Sequence, residues 1–329
     1  MDQQNIKVQK WVMVVSIILL ALKCFAYYIT QSVSILTDAL ESIVNVVAGG
    51  IGLYSLILSA RPRDFEHPYG HGKVEFISAA VEGTLISTAG ISIIVEAIRN
   101  LSHPDPLKEI DYGIYIIAFS ALVNFIMGTV CIRIGKQNNS IALEASGKHL
   151  QSDTYSTLGI VAGLIIVYVT GISVIDIVVA ILMGTIILYT GFKILRSSIA
   201  GIMDEADINL LKELVVLIQK NRRDTWIDLH NFRLIKYGAV YHIDCHLTVP
   251  YYYSVEKAHD EILHFEHLLK SHYNNKVELF IHMDNCRSFS CAICSIKDCA
   301  HRKEPFKKSI EWDLNNIYRN QKHTLLQNA

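Results

Sequence analysis

Six long apolar segments, all ending before residue 203, constrain the fold of this 329-residue chain more than any other feature. They lie at about 8–30, 34–60, 72–100, 111–134, 141–170 and 174–195. A helix that crosses a bilayer needs about 20 mostly apolar residues, and each segment reaches that length. We therefore predict an α-helical membrane protein with six transmembrane helices in residues 1–202.

Basic residues near the ends of these segments are distributed unevenly between the two sides. The connection between the third and fourth segments holds Arg99 and Lys108. The opposite side carries Lys7, Lys10, Arg61, Arg63, Lys73, Arg133, Lys136, Lys193 and Arg196. Because positive charge marks the cytoplasmic side, this asymmetry predicts a multi-pass protein of the cytoplasmic (inner) membrane with both termini in the cytoplasm.

Polar side chains recur at helical spacing in two of the apolar segments. In SILTDALESIVN, residues 34–45, they are Asp38, Glu41 and Asn45, and in KHLQSD, residues 148–153, they are His149 and Asp153. Each set shares one helix face. An ionisable group at the centre of a membrane helix costs about 2.5–3.5 kcal/mol on insertion scales, so such groups usually face a bundle interior. We expect the two sets to meet there.

Four of these side chains form a plausible ligand set for a divalent metal ion: Glu41, Asn45, His149 and Asp153. Mixed nitrogen and oxygen ligands suit zinc, iron, cobalt or manganese better than Cu(I). Asp38 is a candidate for orienting these ligands or for lining the access path. The alternative is an interhelical hydrogen-bond network with structural value only.

The connection between the second and third segments, DFEHPYGHGK at residues 64–73, offers a second set of ligands. Asp64, His67 and His71 supply one oxygen and two nitrogens within a short reach, and the glycines allow tight bends. The alternative is a turn shaped by Pro68 and the glycines, with hydrated histidines.

Residues 203–285 predict a small cytoplasmic α+β domain of the order αββαβ. Helices are expected at 207–220 and 254–273, and strands at 226–237, 241–249 and 277–283. In YHIDCHLTV, alternation predicts a buried face formed by Ile243, Cys245, Leu247 and Val249. The polar faces carry His230, His246, His282 and Asp284, which could converge on a metal ion.

The remaining segment, residues 286–329, reads as a cysteine-rich cytoplasmic tail. Cys286, Cys291, Cys294 and Cys299 lie within CRSFSCAICSIKDC, and four thiolates can hold zinc or an iron–sulfur cluster. The alternative is an unstructured, redox-labile tail. Further on, Ile310, Trp312, Leu314 and Ile317 suggest a surface or membrane-apposed helix. The 30 basic and 31 acidic residues of the chain give no basic surface, so no nucleic-acid partner is expected.

Together, TDALESIVN, KHLQSD and HPYGHGKVE at residues 67–75 resemble the cation diffusion facilitator family of metal-ion transporters, over about residues 8–286. The resemblance implies a transport site between the second and fifth spans, with Glu41, Asn45, His149 and Asp153 as ligands. It also implies a secondary metal site in the loop, and metal binding by the cytoplasmic domain. That domain is expected to have a ferredoxin-like fold that pairs two protomers into a homodimer.

The second span departs from the family pattern of Asp or His followed four residues later by Asp. Here Glu41 and Asn45 make the site less negative by one charge, which leaves the preferred metal open. The resemblance also implies exchange of metal for protons, and His149 is the natural proton acceptor because an unperturbed histidine titrates at about 6.5.

We therefore predict efflux of a divalent metal by metal/proton antiport with alternating access. Zinc is the first candidate, with iron, manganese, cobalt and cadmium as others. A membrane metalloenzyme and a membrane-anchored metal sensor are the alternatives.

Overall fold

The computed structural model describes residues 2–30, 33–102, 113–170, 174–238, 240–273 and 276–325. Within some of the long helices it describes the backbone but not every side chain, and Asp38 and Glu41 are among the side chains outside the description. The chain folds into two compact units, Met1–Met203 and Asp204–Ala329.

The first unit consists of six long helices that correspond one to one with the predicted spans. They are α1 (Asp2–Thr30), α2 (Val33–Ser59), α3 (Val74–Ser102), α4 (Gly113–Asn138), α5 (Ile141–Thr170) and α6 (Val174–Ile202). Over the described residues, α1, α3, α4 and α6 each contain a stretch long and apolar enough to cross a membrane. A helical membrane domain is therefore confirmed. Its α2 and α5 carry the polar residues of interest.

Close approach of α3 and α6 depends on two reciprocal glycine pairs. A Cβ added to Gly90 would lie 2.9 Å from the carbonyl oxygen of Gly184, and one added to Gly191 would lie 2.8 Å from the carbonyl oxygen of Gly83. Such distances are too short for any side chain, so the backbones touch where the glycines face each other. Small residues at the interface are the usual means of packing helices tightly in a membrane.

The second unit has the predicted order αββαβ. It contains α7 (Ile208–Lys220), β1 (Asp228–Tyr237), β2 (Val240–Val249), α8 (Val255–His272) and β3 (Val277–Asn285), followed by a short 3₁₀ helix at Ser288–Ala292. The sheet order is β1-β2-β3, with β1 antiparallel and β3 parallel to β2. Asp207 and Ser254 cap the two helices by accepting hydrogen bonds from backbone N–H groups in the first turn.

The core of this unit lies between the sheet and its two helices. Ile243, Cys245 and Leu247 of β2 are at most 1% exposed, as their alternation predicts. They belong to the same apolar cluster as Leu214 of α7 and Phe265 of α8, which are fully buried. Residues between them point to the opposite face of the sheet, which is where the histidines lie.

The chain after β3 packs against this core, so the predicted surface or membrane-apposed helix is wrong. Trp312 and Ile317 are 2% and 0% exposed and join the core cluster. The backbone N–H of Phe232 donates to the carbonyl of Ile317 at 2.9 Å, beside the register shift of β1 between His230 and Arg233. The apolar side chains that suggested an amphipathic helix instead fill space beside β1, in turns and extended chain.

Gly90→Ala tests the packing of α3 against α6. Its methyl group would lie 2.7 Å from the backbone nitrogen of Leu188. Overpacking costs about 1–3 kcal/mol, which outweighs the gain of at most about 1 kcal/mol that alanine brings over glycine in a helix. We expect a lower unfolding temperature for the detergent-purified protein. Gly50→Ala is the control, since nothing lies within 4 Å of its added carbon. Equal unfolding temperatures for both variants would contradict this packing.

Candidate metal centres

The first candidate centre joins α2 to α5 through the side-chain amide of Asn45. The Nε2 atom of His149 lies 2.9 Å from Asn45 Oδ1, and Asn45 Nδ2 donates to Asp153 Oδ2 at 2.5 Å. His149 is only 7% exposed. The structure thus brings together three of the four predicted ligands. The side chains of Glu41 and Asp38 lie outside the described residues, but both positions are on α2 within two turns of Asn45.

The direction of these hydrogen bonds follows from the chemistry of the three groups. A carboxylate only accepts, so the amide must present its NH₂ group to Asp153 and its oxygen to His149. That oxygen in turn accepts a hydrogen bond from His149 Nε2. Asn45 therefore holds the imidazole and the carboxylate on either side of itself. The three side chains thus form one hydrogen-bonded chain between the two helices.

A buried polar network lies one turn along α5 from this centre, and sequence reasoning missed it. Ser146 donates to Glu82 Oε1 of α3 at 2.7 Å and accepts from Gln9 Nε2 of α1 at 3.1 Å. Glu82 is fully buried. The sequence signal that could have revealed this network was Glu82 itself, an acidic residue in the middle of the third apolar segment. The network ties α1, α3 and α5 together at the level of the candidate centre.

The loop between α2 and α3 forms the second candidate centre. The Asp64 carboxylate lies 3.3 Å from His67 Nδ1 and, through its other oxygen, 3.3 Å from His71 Nε2. The backbone N–H of His67 donates to Asp64 at 2.7 Å and is the main reason that the pKa of this carboxyl lies below its usual value. Gly70, with φ of 94°, supplies the bend that brings His71 back. Within the described residues, these three ligand atoms lie within 4.8 Å of one another.

The third candidate centre lies on the sheet of the second unit and consists of His230, His246 and Asp284, here called the sheet triad. Asp284 Oδ2 is 3.4 Å from His230 Nε2 and 3.2 Å from His246 Nδ1. His230 and His246 face each other across β1 and β2, and Asp284 follows on β3. The fourth predicted ligand, His282, lies at the edge: it is 65% exposed and 3.9 Å from Asp284.

Behind the sheet triad lies a second layer that sequence reasoning also missed. Asp228 Oδ2 is 3.2 Å from His230 Nδ1, and Asp228 also bonds to the ring and the backbone of His323. Burial disfavours the charged carboxylate, but these two histidines outweigh burial and hold the pKa of Asp228 well below its usual range. An imidazole whose Nδ1 faces a carboxylate presents the lone pair of Nε2 to a metal. Asp228 therefore orients His230 towards the triad.

The ring of His323 lies behind Asp228 between two hydrogen-bond acceptors. Its Nδ1 faces the carboxylate, and its Nε2 lies 3.1 Å from the carbonyl oxygen of Asn316. A carbonyl oxygen cannot donate, so both ring nitrogens carry protons. Although burial works against it, the bond to Asp228 raises the pKa of His323. No local pattern in the sequence relates a histidine near the C-terminus to a strand residue 95 positions earlier.

Lys322 contacts one carboxylate oxygen of the sheet triad. Its Nζ lies 3.4 Å from Asp284 Oδ1 and donates to the backbone carbonyl of Asn285 at 2.6 Å. An ammonium group here repels a divalent cation and competes with it for the carboxylate. Metal binding at the triad and the Lys322 contact therefore oppose each other.

Lys322→Met should strengthen metal binding at the sheet triad because it keeps the aliphatic stem and removes the charge. We expect about a fivefold lower Kd for Zn²⁺, equivalent to roughly 1 kcal/mol for a partly exposed charge pair. Calorimetric titration of the full-length protein with Zn²⁺ measures this Kd. The binding that is lost in Asp284→Asn identifies the part of the signal that comes from the triad. Lys212→Met, on the exposed surface of α7, is the control. An unchanged Kd in Lys322→Met would show that the ammonium does not compete.

The chain matches known proteins over most of its length. Residues 10–203 match the family of the cation efflux transmembrane domain, and residues 216–286 match the cytoplasmic domain of cation efflux proteins. It is 33% identical over 241 residues to the "Uncharacterized transporter sll1263" of Synechocystis sp., which covers 73% of this chain and 78% of that protein. It is 27% identical over 269 residues to the cation-efflux pump FieF of Yersinia pestis, covering 82% and 89%.

The two family matches fall on the two structural units, one on the six-helix unit and the other on the α/β unit with its three-stranded sheet. Both the helical membrane domain and the family resemblance carried by the sequence motifs are thereby confirmed. The chain belongs to the cation efflux family, that is, to the cation diffusion facilitator family of metal-ion transporters.

Proposed function

We propose that this protein exports a divalent metal ion across the cytoplasmic membrane in exchange for protons. The ion would be carried by Glu41, Asn45, His149 and Asp153. The observation that supports this proposal is the contact of Asn45 with both His149 and Asp153, which joins α2 to α5 inside the membrane unit. Membership of the cation efflux family supports transport of a cation.

We expect transport to be coupled to protons because the metal ion and a proton would compete for the same atom, His149 Nε2. In the described contact, His149 Nε2 carries the hydrogen that Asn45 Oδ1 accepts. A metal ion needs the lone pair of that same nitrogen, so this hydrogen bond must break when the ion binds: a neutral ring moves its proton to Nδ1, whereas a cationic ring releases one proton. The same exchange in reverse releases the ion where protons are abundant. In the proposed cycle His149 is cationic before the ion binds and neutral afterwards, so each transported ion displaces one proton.

The charges of the site suit a divalent ion inside a membrane. Glu41 and Asp153 each carry one negative charge when ionised, whereas Asn45 and a neutral His149 carry none. A bound divalent cation then makes the site electrically neutral, which lowers the cost of holding it in a low-dielectric environment. One nitrogen and three oxygens suit zinc first, with iron, manganese, cobalt and cadmium as further candidates.

Alternating access would require α2 and α5 to expose this site first to the cytoplasm and then to the other side. The sheet triad and the loop centre lie outside the helices and would bind cytoplasmic metal. Metal at the triad would favour one conformation over the other by its binding energy. We propose a homodimer paired through the cytoplasmic domain, with both termini in the cytoplasm, which fits the match to the family's cytoplasmic domain.

His149→Ala should abolish transport. We expect the initial rate of Zn²⁺ uptake into proteoliposomes to fall by at least about 100-fold, since losing a group that merely orients a ligand already costs 10–100-fold. The accompanying metal-dependent proton flux should disappear with it. Gln151→Ala is the matched control: it lies on the same turn of α5 but bonds to Thr129 of α4 at 3.1 Å. This control should transport normally.

Two results would contradict the proposal. Proton flux that persists in His149→Ala would remove the imidazole from the exchange. A wild-type protein that binds zinc but moves none across the vesicle membrane would be a membrane-anchored sensor rather than a transporter. A membrane metalloenzyme would instead turn over a chemical substrate without moving ions.

Asn45→Asp should change the metal preference because it adds a negative charge next to His149 and Asp153. We expect tighter binding of all divalent ions and a broader range of transported ions, with the largest gain for manganese, which favours oxygen ligands. Uptake of zinc, iron, manganese, cobalt, nickel and cadmium into proteoliposomes measures it. If the ranking of ions stays unchanged, Asn45 holds the ligands in place without binding the ion itself.

A further inference from the structure

Four cysteines that follow β3 line one pocket in the second unit. Cys286 comes directly after β3, Cys291 lies on the 3₁₀ helix, and the chain then turns back through Cys294 and Cys299. All four side chains line a pocket with a volume of about 220 Å³. Each is a free thiol. The compact arrangement excludes the alternative of an unstructured tail for this segment.

The loop that carries these cysteines is held in shape by Arg302. Its guanidinium donates to the backbone carbonyls of Cys291 at 2.8 Å, of Cys294 at 3.2 Å and of Ile296 at 2.5 Å. The backbone N–H of Arg302 also donates to the carbonyl of Cys299 at 3.1 Å. Arg302 thus fixes three cysteine positions, two through its side chain and one through its backbone. The thiols are preorganised by protein contacts alone.

Hydrogen bonds to sulfur are a second property of this pocket. The backbone N–H of Tyr251 donates to Cys286 Sγ, and that of Lys303 donates to Cys291 Sγ, both at 3.4 Å. Such donors stabilise thiolate ligands and set the properties of iron–sulfur clusters.

The charges around the pocket fit an anionic metal–thiolate centre. Arg287, Arg302 and Lys303 line it, and their positive charge would offset four thiolates. Clustered thiolates repel one another, so a bound metal is what would stabilise them together.

The spacing of the sulfurs separates a single zinc ion from a larger cluster. A tetrahedral zinc with bonds of about 2.3 Å holds its sulfurs roughly 3.8 Å apart. Among the described residues, groups with three potential ligand atoms within 4.8 Å of one another occur at the loop centre and the sheet triad, and the cysteines form no such group. Since no three of the four described sulfurs lie within 4.8 Å of one another, they are spread more widely than the sulfurs around one zinc ion, as a larger four-iron cluster requires.

We propose that Cys286, Cys291, Cys294 and Cys299 bind a [4Fe–4S] cluster. Each thiol releases its proton as its sulfur bonds to one iron of a preassembled cluster. The centre is separate from the transported ion and does not depend on the transport proposal. Cys291, Cys294 and Cys299 lie beyond the residues that match the cytoplasmic domain of the family.

Full-length protein purified without oxygen from cells grown with iron tests this proposal. Iron, zinc and acid-labile sulfide are measured in the same sample, together with visible absorption and electron paramagnetic resonance after dithionite reduction. We expect about four irons and about four sulfides per chain. Cys291→Ser and Cys294→Ser should each lose both. Cys24→Ser, an exposed cysteine on α1, is the matched control and should keep them.

Acid-labile sulfide separates a cluster from cargo iron, because an ion at the transport site brings no sulfide. One zinc per chain without iron would overturn the cluster, and an anaerobic protein without either metal would overturn the whole centre. Iron and sulfide that persist in both cysteine variants would place the cluster elsewhere and overturn this assignment. Size-exclusion chromatography of each variant checks that it has kept its fold. If a variant does not fold, the iron, zinc and sulfide content of the wild-type protein alone decides whether a cluster is bound.

Discussion

The contact of Asn45 with His149 and Asp153 is the interaction on which the proposed transport site depends. It joins polar residues of two helices in an apolar environment, where polar groups without partners are costly. Because the amide oxygen and nitrogen face different partners, one side chain satisfies both. The same geometry that stabilises the helix pair therefore prepares a binding place for a cation. Structural and functional demands on these residues coincide.

The second unit positions its candidate metal ligands differently. Its sheet supplies His230, His246 and Asp284, but the segment after β3 supplies what surrounds them. His323 and Asp228 orient one ligand from behind, and Lys322 neutralises another from the side. The segment that follows the helices and strands of this unit thus supplies the groups that would control how available the triad is to a metal ion. The cysteine pocket belongs to this same segment.

Much of the fold could be predicted because its signals are local. Each apolar segment became one helix, and the alternation of Ile243, Cys245 and Leu247 correctly marked the buried face of β2. The candidate ligands on α2 and α5 were visible for the same reason, since spacings of three and four residues define a helix face. The prediction failed for Trp312 and Ile317. Their spacing resembled an amphipathic helix, yet they pack into the core in non-helical chain. Periodicity alone does not reveal which space an apolar side chain will fill.

The sequence by itself determined the class of protein, because the length and apolarity of its segments leave few alternatives to membrane helices, and because the charged and polar residues within them demand partners. Only the tertiary structure decided which partners meet. Asn45 reaches Asp153 across 108 residues, and His323 reaches Asp228 across 95. Contacts of that separation leave no local pattern, since they arise from helix packing and from the path of the chain beside β1. The physical reason is that periodicity specifies a face, whereas packing specifies what that face touches.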